Sequence, residues 1–230
     1  MKILQRGLAT IISITAILIL LITAFEIGAY SDYGWYKKAY EKYGVLDDLD
    51  MKMQDVMHVT EEMMAYLRGN RADLVVDTIV DGEEQEFFND REKAHMVDVK
   101  NLFVGGLWIR RIAILIFALA VILLAKTKSN WKRLLLKCFL IGFGVFIGIV
   151  GIVGGLVASN FNKYFLIFHK VAFRNDLWLL NPETDLLIRM LPEGFFLDMV
   201  MRIGIIILLL MFISTVISIV ALYRFKDKNN

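Results

Sequence analysis

Four apolar runs divide the chain. Residues 8–25 make up 18 residues without a charge. Residues 112–125 form a second run of 14, which residues 102–109 extend across Arg110 and Arg111. Residues 139–158 and 203–222 contribute 20 each. About 20 apolar residues in a helix cross the hydrocarbon core of a bilayer. The pattern therefore predicts an α-helical integral membrane protein with four transmembrane helices: 1–30, 102–125, 139–159 and 200–230, the last with a tail. The first run follows Lys2 and Arg6, as a secretion signal would. Its length exceeds the roughly 7–15 apolar residues of a signal core, and no small-x-small cleavage site follows, so a retained helix is expected.

The polar stretches between the runs have their own periodicities. Residues 31–101 form an insert after the first helix, predicted to be a small extracellular α+β domain. Tyr33, Trp35, Tyr36, Tyr40 and Tyr43 crowd its start and suit a stretch lying on the membrane surface. Residues 53–67 place Val56, Met57, Met63, Met64 and Leu67 on one helical face, ending near Gly69. Residues 74–80 and 85–88 flank Asp81-Gly82, a dipeptide suited to a tight hairpin. Asn89 or Asp90 then caps a helix that continues into the second membrane run. His95 precedes Lys126 by ~46 Å of helix at ~1.5 Å per residue. With a bilayer ~40–45 Å thick, that is the outer headgroup level. Residues 160–199 are a second outward segment with six Phe and a Trp. They predict a short amphipathic helix at 162–173, a turn near Asn181-Pro182, and a second short helix ending by Pro192.

Composition sharpens this picture. The 230 residues are 57% hydrophobic with a mean hydropathy of +0.58, too apolar for a soluble core of this length. Lys2 and Arg6, then Lys126, Lys128, Lys132, Arg133 and Lys137 of the loop 126–138, then Arg224, Lys226 and Lys228 share one side, with Asp227 the single acid. That side is cytoplasmic by the positive-inside rule, so both termini are expected on the cytoplasmic side of the membrane and the two polar segments outside. Residues 31–101 carry 17 acids and nine Lys/Arg. The overall charge of +2 hides this asymmetry and gives no reason to expect nucleic acid. A single cysteine, Cys138, allows no internal disulfide.

The candidate chemistry lies in the outward segments. His58 sits among Met residues of an amphipathic helix, where a packed or surface role is the plainer reading. His95 and His169 each sit where the chain enters or leaves the membrane. Both can titrate near neutrality and act as acid or base, although solvated interfacial histidines would look the same. Glu92, His95 and Asp98 fall at i, i+3 and i+6, so a carboxylate can reach the imidazole and orient it. A metal site built from the two histidines and carboxylates is the alternative. Arg110 and Arg111 lie at outer-leaflet depth, where they either snorkel to headgroups or face a lipid-binding cavity. Gly144, Gly148, Gly151 and Gly155 share a face of the third helix and predict close helix packing. No Walker, Rossmann, HExxH or GxSxG pattern occurs, so no nucleotide, cofactor or serine-hydrolase chemistry is suggested.

Three segments together resemble one family. EFFNDREKAHMVDVKNLF (86–103), FNKYFLIFHK (161–170) and WLLNPETDLLIRMLPEGFF (178–196) are similar to the lipoprotein intramolecular transacylases. The resemblance covers nearly the whole chain, including the four helices and the insert after the first. It implies an acyltransferase whose substrates are diacylglyceryl-modified bacterial lipoproteins, working in membrane lipid without a cofactor. It would move the sn-2 acyl chain to the α-amino group of the N-terminal cysteine, leaving a lyso-form N-acyl lipoprotein. It implies His95 and His169 as the catalytic pair, with Glu92, Asp98 and Asn162 in support. Arg110, Arg111 and Trp178 are the lipid-contacting candidates. A non-catalytic sensor or partner-binding protein, or a metal-dependent membrane hydrolase, is the competing expectation.

Overall fold

The computed structural model describes residues 2–127 and 131–227. Lys128 and Lys228, two of the basic residues used for orientation, lie outside them. Four helices are long and apolar enough to cross a membrane: α1 (Lys2–Tyr30), α5 (Asp90–Ala125), α6 (Trp131–Ser159) and α9 (Glu193–Asp227). The chain separates into two compact units, one drawn from the apolar helices and the other from Gly28–Gly106 and Asn160–Met201.

In the helical unit, Ala9 and Ile12 of α1 pack with Ala120 and Leu124 of α5, with Leu8, Trp131 and Leu134 around them. A second cluster joins Ala24, Phe143, Ile207 and Met211. Close packing against α6 falls at Gly142, where an added Cβ would lie 3.5 Å from Ile17 and 3.6 Å from Ser13. At Gly144, Gly148, Gly151 and Gly155 it would meet nothing. The shared glycine face thus does not pack within the chain, contrary to expectation. Small residues permit approach without enforcing it.

The second unit holds the remaining helices: α2 (Tyr33–Lys42), α3 (Val45–Leu49), α4 (Met53–Arg68), α7 (Phe161–Ala172) and α8 (Leu186–Met190). Its sheet is a single antiparallel pair, β1 (Asp77–Val80) and β2 (Glu83–Glu86), with Asp77 opposite Glu86. The first strand is shorter than the pattern suggested, and the second has the expected length but sits two residues nearer the turn. The chain turns at Asp81 and Gly82, both at positive φ (53° and 76°), as a two-residue I′ hairpin requires. Its β portion is therefore one hairpin against a helical core.

That core contains Tyr36, Tyr40, Val56, Val59, Met63, Leu67, Phe87, Phe88, Met190 and Phe195. The aromatic run at 33–43 forms α2, and Tyr36 and Tyr40 are buried inside rather than laid on the surface. Their hydroxyls find partners there. Tyr36 donates to the Ala29 carbonyl at 2.8 Å, and Tyr40 shares a 2.7 Å bond with Thr60. Satisfying the phenol is what lets a tyrosine be buried.

α5 begins with a reciprocal capping box. The Asn89 side chain accepts from Glu92 N at 3.0 Å, and Glu92 Oε2 accepts from Asn89 N at 2.8 Å. The helix then runs unbroken to Ala125 through Gly105 and Gly106. α7 is capped by Asn160, which accepts from Lys163 N at 3.1 Å, and α9 starts earlier than the apolar pattern, directly after Pro192.

Candidate active site

His95 sits on the second turn of α5 and His169 near the end of α7. Their ring centroids are 6.3 Å apart with an interplanar angle of 36°. Both are buried, at 7% and 9% exposure. Apolar and aromatic side chains enclose them. Phe173 packs edge-on to His95 at 5.1 Å and contacts His169 at 5.6 Å. Phe165, Phe168 and Trp178 lie 4.3, 5.3 and 5.1 Å from His169.

The hydrogen bonds distinguish the two imidazoles. His169 Nδ1 lies 2.8 Å from the Phe165 carbonyl, one helical turn back. A carbonyl only accepts, so Nδ1 carries the proton, and in the neutral ring Nε2 carries the lone pair. His95 Nδ1 is buried and has no hydrogen-bond partner among the described residues. Orphaned buried polar atoms are rare in folded proteins. Burial holds the His95 pKa down, to about 4; the nearby His169 adds to the effect and Asp98 opposes it. Burial also lowers His169, against a smaller opposing effect from the Phe165 carbonyl. Both rings are neutral near pH 7.

The carboxylates named with His95 are engaged elsewhere. Glu92 is fully buried, and besides Asn89 N it accepts from Leu187 N at 2.6 Å. Burial raises its pKa, and the backbone amides oppose that shift. Asp98 accepts from Asn175 Nδ2 at 2.8 Å. Neither carboxylate orients the imidazole. Helical spacing brings side chains within reach, but stronger amide partners took both oxygens of Glu92. Among the described residues, no three His, Cys, Asp or Glu side chains converge as a metal site. Asn162 donates to Glu193 Oε2 at 3.3 Å, two turns before His169 on α7.

The lipid-contact candidates separate as well. Trp178 packs against His169 with the rings tilted by 35°, a partnership that spacing in a loop does not reveal. Arg110 makes an ion pair with Glu26 of α1, and the Arg111 guanidinium lies 4.8 Å over the Trp108 ring. The pairing of Arg110 had a signal in the sequence: Glu26 is the one acid at the end of the first apolar run. His58 lines an open cleft of about 510 Å³ with Asp55, Asp77 and Glu84, sharing no residue with the histidine pair.

A family model described as the lipoprotein intramolecular transacylase Lit matches residues 10–196. A comparison with curated proteins gives no match. Among solved structures, the membrane-integral lipoprotein intramolecular transacylase Lit of Bacillus cereus superposes with a TM-score of 0.76. It is 24% identical, and the alignment covers 100% of this chain and 98% of that one. A form of the same enzyme with a histidine-to-arginine substitution gives 0.75 at 23% identity, covering 98% and 95%. At these identities the likeness establishes the fold.

Proposed function

Because the chain belongs to the lipoprotein intramolecular transacylase (Lit) family and is an acyltransferase of that kind, we propose that His95 and His169 carry its reaction. The substrate is a diacylglyceryl lipoprotein, and the sn-2 acyl chain passes to the α-amino group of its N-terminal cysteine. The observation that supports this is the 6.3 Å approach of two buried, neutral imidazoles, one with a fixed tautomer.

An ester becomes an amide, which is downhill and calls for no nucleotide. Donor and acceptor belong to one molecule, so holding both at one place gives a high effective concentration. The α-amino group ordinarily has a pKa of about 8 and attacks only when neutral. His169 Nε2, the free lone pair, accepts the amine proton as nitrogen attacks the ester carbonyl. His95 donates its one N–H to the oxygen that becomes negative. The carbon–oxygen bond to glycerol then breaks. His169 returns its proton to that sn-2 oxygen, leaving an amide, a free glycerol hydroxyl and both imidazoles neutral. The aromatic enclosure keeps water from the acyl carbon.

The orientation follows from charge. Lys2, Arg6, Lys126, Lys132, Arg133, Lys137 and Arg224 support a cytoplasmic side for both termini, and with it an outward face for residues 31–101 and 160–199 and the histidine pair, at the depth of the glyceryl esters. The exposed Leu166, Ile167, Phe168 and Val171 of α7 suit contact with membrane lipid.

The test is replacement of His95 or His169 by Ala in the full chain, followed by mass spectrometry of a reporter lipoprotein's N-terminal lipopeptide. Each change should abolish the N-acyl lyso product. Persistence of that product in both variants would sink the assignment.

A further inference from the structure

The start of α5 is bonded turn by turn to the segment 175–187. Asn89 Nδ2 donates to Asp185 Oδ1 at 2.8 Å. The Arg91 guanidinium donates to the Asp176 carbonyl. Glu92 Oε1 accepts from Leu187 N at 2.6 Å. Asp98 Oδ2 accepts from Asn175 Nδ2 at 2.8 Å. His95 lies inside this ladder and supplies none of its rungs.

Two of the rung carboxylates are out of water: Glu92 at 0% exposure and Asp185 at 3%. A buried carboxylate is costly unless its lone pairs are filled. Asp185 fills its own from Asn181 N at 2.7 Å, Thr184 Oγ1 at 3.0 Å and Asn89. Glu92 differs in taking one amide from each side, Asn89 N and Leu187 N. The segment that gives Leu187 also carries Trp178, whose ring lies 5.1 Å from that of His169 at a tilt of 35°. A shift at this rung therefore moves the wall opposite His95. Reacting groups tolerate little movement, since a displacement of about 1 Å can cost on the order of 100-fold in rate.

We propose that Glu92 is a positioning residue for acyl transfer, its buried carboxylate clamping the 175–187 segment to the first turn of α5 and thereby setting the His95–His169 spacing. This rests on the reading of the two histidines as the reacting pair. Glu92 itself touches no substrate.

The decisive variant is Glu92→Gln, which keeps the shape but turns one acceptor oxygen into an NH₂ facing an amide N–H. It is assayed as full-length enzyme in lipid nanodiscs with a synthetic diacylglyceryl lipopeptide, well below its unfolding temperature. The expected result is a fall in kcat of about 10- to 100-fold with KM within about twofold. In ¹⁵N-histidine spectra the His95 and His169 imidazoles should shift while His58 stays in place. A clamp that merely stabilises the fold would lower the unfolding temperature and leave kcat and both imidazoles unmoved. Asn175→Ala removes an exposed rung, and should lower kcat by about threefold or more at unchanged KM. Folded Glu92→Gln with kcat within twofold of wild type overturns the proposal. If Glu92→Gln does not fold, an unchanged kcat in Asn175→Ala overturns it instead. Should His95→Ala keep making product, the reading of the pair fails. Should His95→Ala be inactive while both ladder variants keep full kcat, only the clamp fails.

Discussion

His169 donates its Nδ1 proton to the carbonyl of Phe165 at 2.8 Å, and so keeps Nε2 as the lone-pair nitrogen of a ring whose centroid lies 6.3 Å from that of His95. Burial then keeps both rings unprotonated at the pH where an α-amino group loses its own proton. A base that is free, oriented and already neutral is the arrangement that amine acylation needs.

The first prediction concerns pH. Below about pH 8 the neutral amine is scarce, so log(kcat/KM) should fall with a slope of 1 as pH drops. Protonation of a histidine adds a second unit of slope. Because burial lowers both histidines, with His95 at about 4, the steepening should begin clearly below pH 6.5. Steepening at or above 6.5 would mean that the imidazoles are not desolvated. The same shift acts on stability. The unfolded chain takes up the His95 proton near pH 6.5 and the folded chain near 4. Unfolding is therefore favoured progressively as pH falls through that window, and His95→Ala should flatten the loss in denaturation curves.

Trp178 should matter to the chemistry more than to lipid binding. Its ring is 5.1 Å from that of His169, within reach to stabilise a histidinium by cation–π attraction. Trp178→Ala should relieve part of the burial that lowers the His169 pKa and reduce kcat by about 2- to 30-fold, the range that 0.5–2 kcal/mol gives. Trp178→Phe should lose less. NMR titration with steady-state kinetics reads both effects. A change confined to KM would return Trp178 to a lipid-contact role.

Arg110 depends on Glu26. The two side chains pair where apolar residues surround them, so Glu26→Ala strands a cation. We expect a loss of about 1.5–3 kcal/mol, read as a lower unfolding temperature in detergent or lipid. The double variant with Arg110→Ala should recover part of it, because the Arg110 cation is then no longer left without its carboxylate. Equal melting of wild type and Glu26→Ala would show that Arg110 finds another partner.

Much of this protein was legible before its structure. The apolar runs gave four helices, and the continuity of α5 followed from the lack of Pro or Gly between Asp90 and Phe103. What misled was the use of spacing as a proxy for bonding. Glu92 and Asp98 flank His95 at helical intervals, yet their oxygens went to Leu187 N and Asn175, groups far away in sequence. The aromatic run at 33–43 looked interfacial because amphipathic rings suit headgroups, but Thr60 and the Ala29 carbonyl supply the polar ends that let Tyr40 and Tyr36 go inside. Trp178 lies in a stretch with no periodicity, so nothing in the chain announced its contact with the His169 ring.

The hydrogen bond from His169 to Phe165 has a consequence for how the site tolerates change. The acceptor is main chain, and it lies four residues back within α7 itself. Any side chain that keeps this turn helical will hold the proton in place, so the tautomer does not depend on the Phe165 ring. A change from Phe165 to Leu should spare the tautomer, whereas a proline at Val171 or His169's other helical neighbours would unlatch it by unwinding the turn. The base thus travels as a one-turn cassette, portable in principle to other helices that end at a membrane surface.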